Sequence, residues 1–329
     1  MNDAIESSFP LDEGAKLGWK AASELIKPFG QVAANFSEAV RMLVAAHMSS
    51  GGAASVGGQN HVIRLIKNDT VKATYYYFAK QFSPTLFTSK PHITEKDFWG
   101  AYQPIDHAAI LTFCYLFKNL SRKIEKDEWE YVQVPLYEAL AIGGCVGQSI
   151  KEIGLGIGLL ARGLRYLSFA AFMRENRKGF KEYRQHLKAN DIPFDTVYEE
   201  KMWQCSSTQI AGLFLERMGY PRTVGLQFVA AAERASFEAE DALFGVPFRL
   251  AECLVDAYME GHEIPTSTPA WVGKKIDFPA EIRGNLLSAL NKVIEDKNRV
   301  EWLNKSSSHI DATKTPELFV GQATASVQS

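Results

Sequence analysis

Large apolar residues return along this chain with a period near 3.6, the spacing that gives a helix one buried face. Ala39, Val40, Leu43, Val44 and His47 share one such face, behind the start signals Asn35 and Ser37. Ile110, Phe113, Cys114 and Phe117 form a second stripe; Ile210, Leu213, Phe214 and Met218 form a third, which Gly219 and Pro221 stop. Leu243, Phe244, Phe248, Leu250, Leu254, Val255 and Tyr258 mark a fourth, interrupted near Pro247. A last helix begins near Pro279 and carries Leu286, Leu287, Leu290, Val293 and Ile294. Ile63, Leu65, Ile66, Val71, Ala73 and Tyr76 suggest short helices, although TYYYF (74–78) reads equally as a strand. Strands do not alternate with helices, so the predicted fold class is all-α, a multi-helix bundle.

The punctuation between these stripes sets the organisation. MSSGGAASVGGQN (48–60) is small and uncharged and reads as a linker or long loop; Pro84 and Pro91 bracket another loop. Residues 1–60 are therefore expected to be an N-terminal helical segment with its linker, and 61–304 the main helical domain. The polar tail 305–329 is expected to be disordered, with Leu318-Phe319-Val320 as its apolar spot.

Composition narrows the class. The 329 residues are 46% hydrophobic and 22% charged, enough for a sizeable core. A formal net charge of −2 argues against a nucleic-acid binder, which needs a basic excess to neutralise phosphates. The start, MNDAIESSFPLDEG, carries early acids rather than an apolar leader, and no uncharged run approaches the roughly 20 residues of a membrane span. Cys114, Cys145, Cys205 and Cys253 are widely spaced and read as reduced core thiols. A cytoplasmic bacterial-type protein that contacts no membrane is the expectation.

One stretch is harder to place. GLGIGLLARGLRYL (154–167) is glycine-rich and apolar, yet carries Arg162 and Arg165 where a helix buries its face. Gly154, Gly156 and Gly158 mimic a phosphate loop. The segment before them, CVGQSIKEI, reads as helix, however, and no acid follows at the place a dinucleotide site needs one. The preferred reading is close approach of two helices through small residues.

GIGLLARGLRYLSFAAF (156–172) resembles the "GLLHDIG" helix of the HD superfamily, with Ala161-Arg162 in place of the His-Asp pair. Further landmarks resemble the superfamily's HDOD branch. Trp129 stands three residues before Val132, and Glu200, Thr208, Gly212, Leu215, Met218, Tyr220-Pro221 and Ala231-Ala232 follow the order of a second signature whose histidines are missing here. The resemblance spans about residues 100–265; the branch's N-terminal signature is absent from residues 1–95. It implies an HD-domain-like helical fold and a bacterial signalling output, with Ala161, Arg162, Thr208, Ala231 and Ala232 at former metal positions.

Elementary chemistry agrees with that implication. An HD hydrolase holds divalent metal on His and Asp so that bound water ionises near neutral pH. Ala161 offers no lone pair and Arg162 brings a permanent positive charge. Two unit charges ~4 Å apart repel by about 4 kcal/mol at an effective dielectric near 20, and a dication doubles that. The seven histidines (His47, His61, His92, His107, His186, His262, His309) form neither an HD dipeptide nor an i,i+4 pair. Asp106-His107 is the reverse order, with Asp106 placed to cap a helix, and His262-Glu263 sits at a helix end. No metal or cofactor is expected.

The remaining signals have plain readings beside sharper ones. Gly219-Tyr220-Pro221 spells the tripeptide of the HD-GYP phosphodiesterases but reads as a helix stop. Cys205 lacks a neighbouring His and reads as a structural thiol; Trp129 and Trp203 read as core. Residues 162–188 hold eight Arg and Lys against two Glu: either an anion-binding face or, preferred, a solvated helix face over Phe172, Phe180 and Tyr183. Arg162 and Arg165 are the better ligand contacts there, with Glu200 and Thr208, and Glu200 is expected to pair with Arg162. The expected function is a non-enzymatic regulatory module binding a signalling protein partner or a small anionic ligand. A metal-dependent phosphohydrolase acting on nucleotides through unorthodox ligands is the alternative, and a nucleic-acid-associated regulator ranks third.

Overall fold

The computed structural model describes residues 13–49, 52, 54–89, 93–235, 243–295 and 300–305. Its helices are, in order, α1 (Glu13–Ile26), α2 (Ala34–Met48), α3 (Val56–Ile66), α4 (Asp69–Phe82), α5 (Thr85–Ser89), α6 (Glu95–Ala101), α7 (Pro104–Ser121) and α8 (Lys126–Ser149). Then come α9 (Leu155–Glu175), α10 (Arg177–Asn190), α11 (Thr196–Trp203), α12 (Ser207–Met218), α13 (Arg222–Ala232), α14 (Gly245–Met259) and α15 (Ala280–Glu295). Among the described residues there are no strands, only one isolated bridge between Ser267 and Asp277. The protein is all-α.

Helix α9 is the axle. It is buried from Leu155 to Met173 and packs against α1, α7, α8, α10, α12 and α14. By length and composition it could cross a membrane, but here protein surrounds its whole apolar length. The glycines explain how so many neighbours fit. On α8, Gly143 and Gly147 face Gly158 and Gly154 backbone to backbone, and a Cβ on any of Gly143, Gly147 or Gly158 would run into a carbonyl or backbone atom of the other helix. A Cβ on Gly156 would lie 2.6 Å from the Ile105 carbonyl oxygen on α7. The run at 154–158 is therefore a close-approach device, as its composition suggested.

Asp106 locks the start of this axle. Its Oδ2 accepts from the Gln103 amide at 3.0 Å, closing a capping box on α7, and its Oδ1 accepts from the Gly156 amide at 2.6 Å. One carboxylate satisfies orphan donors at two helix N-termini. His107 beside it is buried with its ring stacked on Trp99, 4.6 Å between centroids, and Nδ1 2.8 Å from the Tyr75 hydroxyl. Burial holds its pKa down at about 4.

Several boundaries differ from the sequence reading. The stretch 48–60 is not all linker: Ser55 caps α3, which begins at Val56, so the division drawn at 60/61 falls inside a helix. Gly57 and Gly58 are poor helix formers, and tertiary packing of Val62, Leu65 and Ile66 overrides them. TYYYF lies in α4, where Tyr75, Tyr76 and Phe78 are all buried, and a helix enclosed on most sides shows no one-face period. Between Pro84 and Pro91 a short helix, α5, interrupts the expected loop. Pro247 does not break its helix: it sits in the first turn of α14, where its missing amide is not needed. Gly219, at φ 105°, and Pro221 end α12 as read.

Candidate functional site

Arg162 and Arg165 are 3% and 6% exposed, and the structure tells what holds each inside. On α14 two acids one turn apart meet Arg162: its Nη1 donates to Glu252 Oε2 at 3.0 Å, and its Nη2 forms an ion pair with Asp256 Oδ1 at 2.5 Å. Arg234, just past α13, donates to the other Asp256 oxygen at 2.8 Å. Arg165 points toward α11 and α12 instead, where its Nε donates to Ser207 Oγ at 2.9 Å and its Nη2 to Thr196 Oγ1 at 3.1 Å. Phe194 lies against both guanidinium groups, 3.9 Å from Arg165 and 5.2 Å from Arg162 measured to its ring centroid.

The acid that answers Arg165 is Glu199. It accepts from the Tyr183 hydroxyl at 2.5 Å and from the Ser207 amide and hydroxyl at 2.6 and 2.9 Å. Burial pushes its carboxyl up in pKa, against the pull of Arg165 and of those donors. Glu252 is pushed up by burial to about 7, with Arg162 holding it from going further. Burial alone would lower Arg162, and the carboxylates of Glu252 and Asp256 reverse that. A buried guanidinium between two buried carboxylates holds as a set, since either partner alone is a charge out of water, although Arg162 Nε, Glu252 Oε1 and Asp256 Oδ1 make no hydrogen bond.

Thr208 connects the cluster to α13. Its hydroxyl donates to Glu233, and Ser206 joins them at 2.7 Å from Thr208 and 3.2 Å from Glu233. Thr208 thus meets the end of α13 that carries Ala231 and Ala232, and a polar path runs on through Arg234 and Asp256 to Arg162. Ala161 is buried in the core beside it in sequence. Of the positions singled out, Arg162 and Thr208 are tied to acids, Arg162 to Glu252 and Asp256 and Thr208 to Glu233, while Ala161 and Ala231 are buried apolar residues.

Glu200 does not join it. It is exposed, and the expected pair with Arg162 is replaced by Glu252 and Asp256. The error is one residue of helix phase: Glu199 and Trp203, four apart, share the buried face of α11, and Glu200 turns about 100° away. Burial and Glu233 raise the Glu200 carboxyl. Glu252 and Asp256 were missed altogether, although two acids at i,i+4 inside an apolar stripe signal a buried partner of opposite charge.

The arrangement does not fit a divalent metal. Arg162 stands between the two acids such an ion would use, and among the described residues no three His, Cys, Asp or Glu side chains converge. His186 pairs with Asp195 at 2.7 Å, and His262 lies on the surface by Glu260. Cys205 is buried, its thiol pushed up in pKa to about 12 by burial and by Glu199 and Glu200, which makes it inert.

The basic run divides. Arg162 and Arg165 point inward, and Arg177 pairs with Glu125 and Glu128 on α8. Phe180, Tyr183 and Leu187 are the buried side of α10, the plain reading. Arg184 and Lys188 face an open groove of about 720 Å³ between α8, α9, α10 and the end of α14. Tyr166, Phe169 and Leu187 supply buried apolar surface to it; Tyr131, Val134 and Ile192 stand exposed in it, and Glu130, Asp191 and Glu260 offset its two cations.

No family model, curated protein or solved structure matches this chain.

Proposed function

We propose that this protein is a non-enzymatic recognition module, a degenerate HD-domain-like bundle of the HDOD kind, that holds a polypeptide partner in signal transduction. The observation that carries the reading is the contrast between its two layers. The inner layer spends its charges on itself: Arg162, Arg165, Glu199, Glu252 and Asp256 hold one another and offer no donor set for a metal ion. The outer groove exposes three large apolar side chains beside five charged ones of mixed sign. Exposed apolar groups rimmed by charged ones mark an interaction surface, and their spread along an open groove suits a polypeptide. The mixed lining suits that partner better than a small anion, whose two best arginines are committed inside.

Affinity purification of the tagged protein from its own cells tests this. Val134 is 65% exposed, so Val134→Glu places a charge in the groove without touching the core. The reading expects wild type to recover a partner that Val134→Glu loses. It fails if the recovered set is unchanged. Tightly held stoichiometric Mn, Fe, Zn or Ni with phosphatase turnover would overturn it in favour of the metal-dependent phosphohydrolase.

A further inference from the structure

The groove has three features that together select an occupant. Its apolar side chains run from buried Tyr166 and Phe169 to exposed Tyr131, Val134 and Ile192. Its charges come in both signs, Arg184 and Lys188 from α10, Glu130 from α8 and Glu260 from the end of α14. Pro135, inside α8 and in the groove lining, has no amide to give the carbonyl of Tyr131 one turn back, so that acceptor lacks its usual helical donor. The groove thus asks for a short peptide with large apolar side chains, one charge of each sign nearby, and backbone donors.

The chain carries one such segment after Lys305: Lys314-Thr315-Pro316-Glu317-Leu318-Phe319-Val320. Leu318 to Val320 is the only run of three large apolar residues beyond Lys305, and Lys314 and Glu317 supply the two charges. The thirteen residues from Lys305 to Leu318 reach up to about 45 Å when extended, against a radius of gyration of about 20 Å for a folded chain of this length. The described chain ends just beyond the short turn Glu301–Leu303, which packs on α4 and α7 with Trp302 against Phe78 and Phe113, and the segment's reach is counted from there.

Resting on the recognition reading above, we propose that the groove is the docking site of this chain's own segment Lys314–Val320, which an external partner must displace. A tether of this length holds its segment at an effective concentration in the millimolar range, so a weak contact suffices to fill the groove until a stronger ligand arrives. By side-chain chemistry the apolar Leu318 and Phe319 match the exposed Val134 and Tyr131, Glu317 matches Arg184 and Lys188, and Lys314 matches Glu130 and Glu260.

The test places a photo-crosslinker in the groove. The full chain with Val134→p-benzoylphenylalanine is irradiated in a dilute extract of the producing cells, and cross-linked peptides are identified by mass spectrometry, with isotope-labelled protein mixed in to separate one copy from two. The proposal expects an intramolecular link to the peptide holding residues 314–320, falling about tenfold in Leu318→Ala/Phe319→Ala, which removes the segment's largest apolar groups. A link to the same segment of a second copy, to another part of the chain, or to a different polypeptide overturns self-docking while leaving the groove a recognition site. No link to any polypeptide overturns both.

Discussion

Replacing Arg162 with Met tests the inner layer directly. At 3.0 Å and an effective dielectric near 20, the Arg162–Glu252 attraction is about 5 kcal/mol, and the Asp256 contact at 2.5 Å is of similar size. Removing the guanidinium forfeits both, leaving Glu252 without a cation and Asp256 with Arg234 alone, a loss that runs to about 3–5 kcal/mol in buried pairs. Proton uptake limits the penalty. Glu252 already titrates near 7 rather than its usual 4.5, so the native state holds an extra proton between those values, and stability from this group falls as pH rises through that window. Without Arg162 its pKa climbs further, and at pH 8 the variant keeps Glu252 protonated where wild type does not, at a cost of roughly 1 kcal/mol per pH unit above 7.

Urea unfolding followed by tryptophan fluorescence at pH 8 and pH 6 measures both quantities. Arg162→Met is expected to lose about 3–5 kcal/mol at pH 8 and roughly 1 kcal/mol less at pH 6, where Glu252 is protonated in either protein. Adding Glu252→Leu should restore most of the loss, since an apolar pair replaces a broken ionic one and Asp256 keeps Arg234. An Arg162→Met protein within about 1 kcal/mol of wild type at pH 8, or a loss independent of pH, would refute the ion layer as drawn.

Three further outcomes follow. Gly158→Ala should cost several kcal/mol or abolish soluble expression, because its Cβ meets the Gly143 carbonyl; Gly284→Ala, with open space around it, is the control and should change the urea midpoint little. Asp106→Ala removes a cap from α7 and from α9 together and is expected to cost about 1–3 kcal/mol in the same assay, with Asp106→Asn recovering part of it. His107, held near 4 from a usual 6.5 by burial, is neutral in the fold and takes up a proton on unfolding, so its stability contribution is lost as pH falls from 6.5 toward 4; His107→Gln should flatten that limb of the stability profile.

The sequence disclosed the helices wherever one face is wet. The stripe around Val40 matched α2, because a half-exposed helix must alternate at 3.6 residues, and those around Phe113 and Phe214 matched α7 and α12, which are far more enclosed. It was silent at α4: TYYYF gave no period because α3, α6 and α7 pack around that helix. For the site, the sequence located the anomaly but not its resolution. Arg162 and Arg165 stood out against an apolar run, yet their partners lie on α11, α12 and α14, ninety residues away in the case of Arg162 and Glu252, and no local pattern encodes that pairing. The groove was invisible as well, since Tyr131, Val134 and Ile192 are unremarkable alone and become a patch only when α8 and α10 are brought side by side.

The two layers are joined through α14. Glu252 and Asp256 are gripped by Arg162, and one turn further Met259 and Glu260 enter the groove. A buried ion cluster adds little net stability, because desolvation of each charge offsets most of the Coulomb gain. What it does supply is rotational phase: Glu252 and Asp256 share one face of α14, and an α14 turned half a revolution about its axis would carry both acids away from Arg162. Ion pairing on α9 thereby fixes where the groove's acidic end stands. Arg162→Met/Glu252→Leu, stable but without that constraint, should bind at the groove less tightly than its unfolding curve would suggest. A double variant with wild-type stability and wild-type cross-linking from position 134 would show that apolar packing alone sets the rotation of α14.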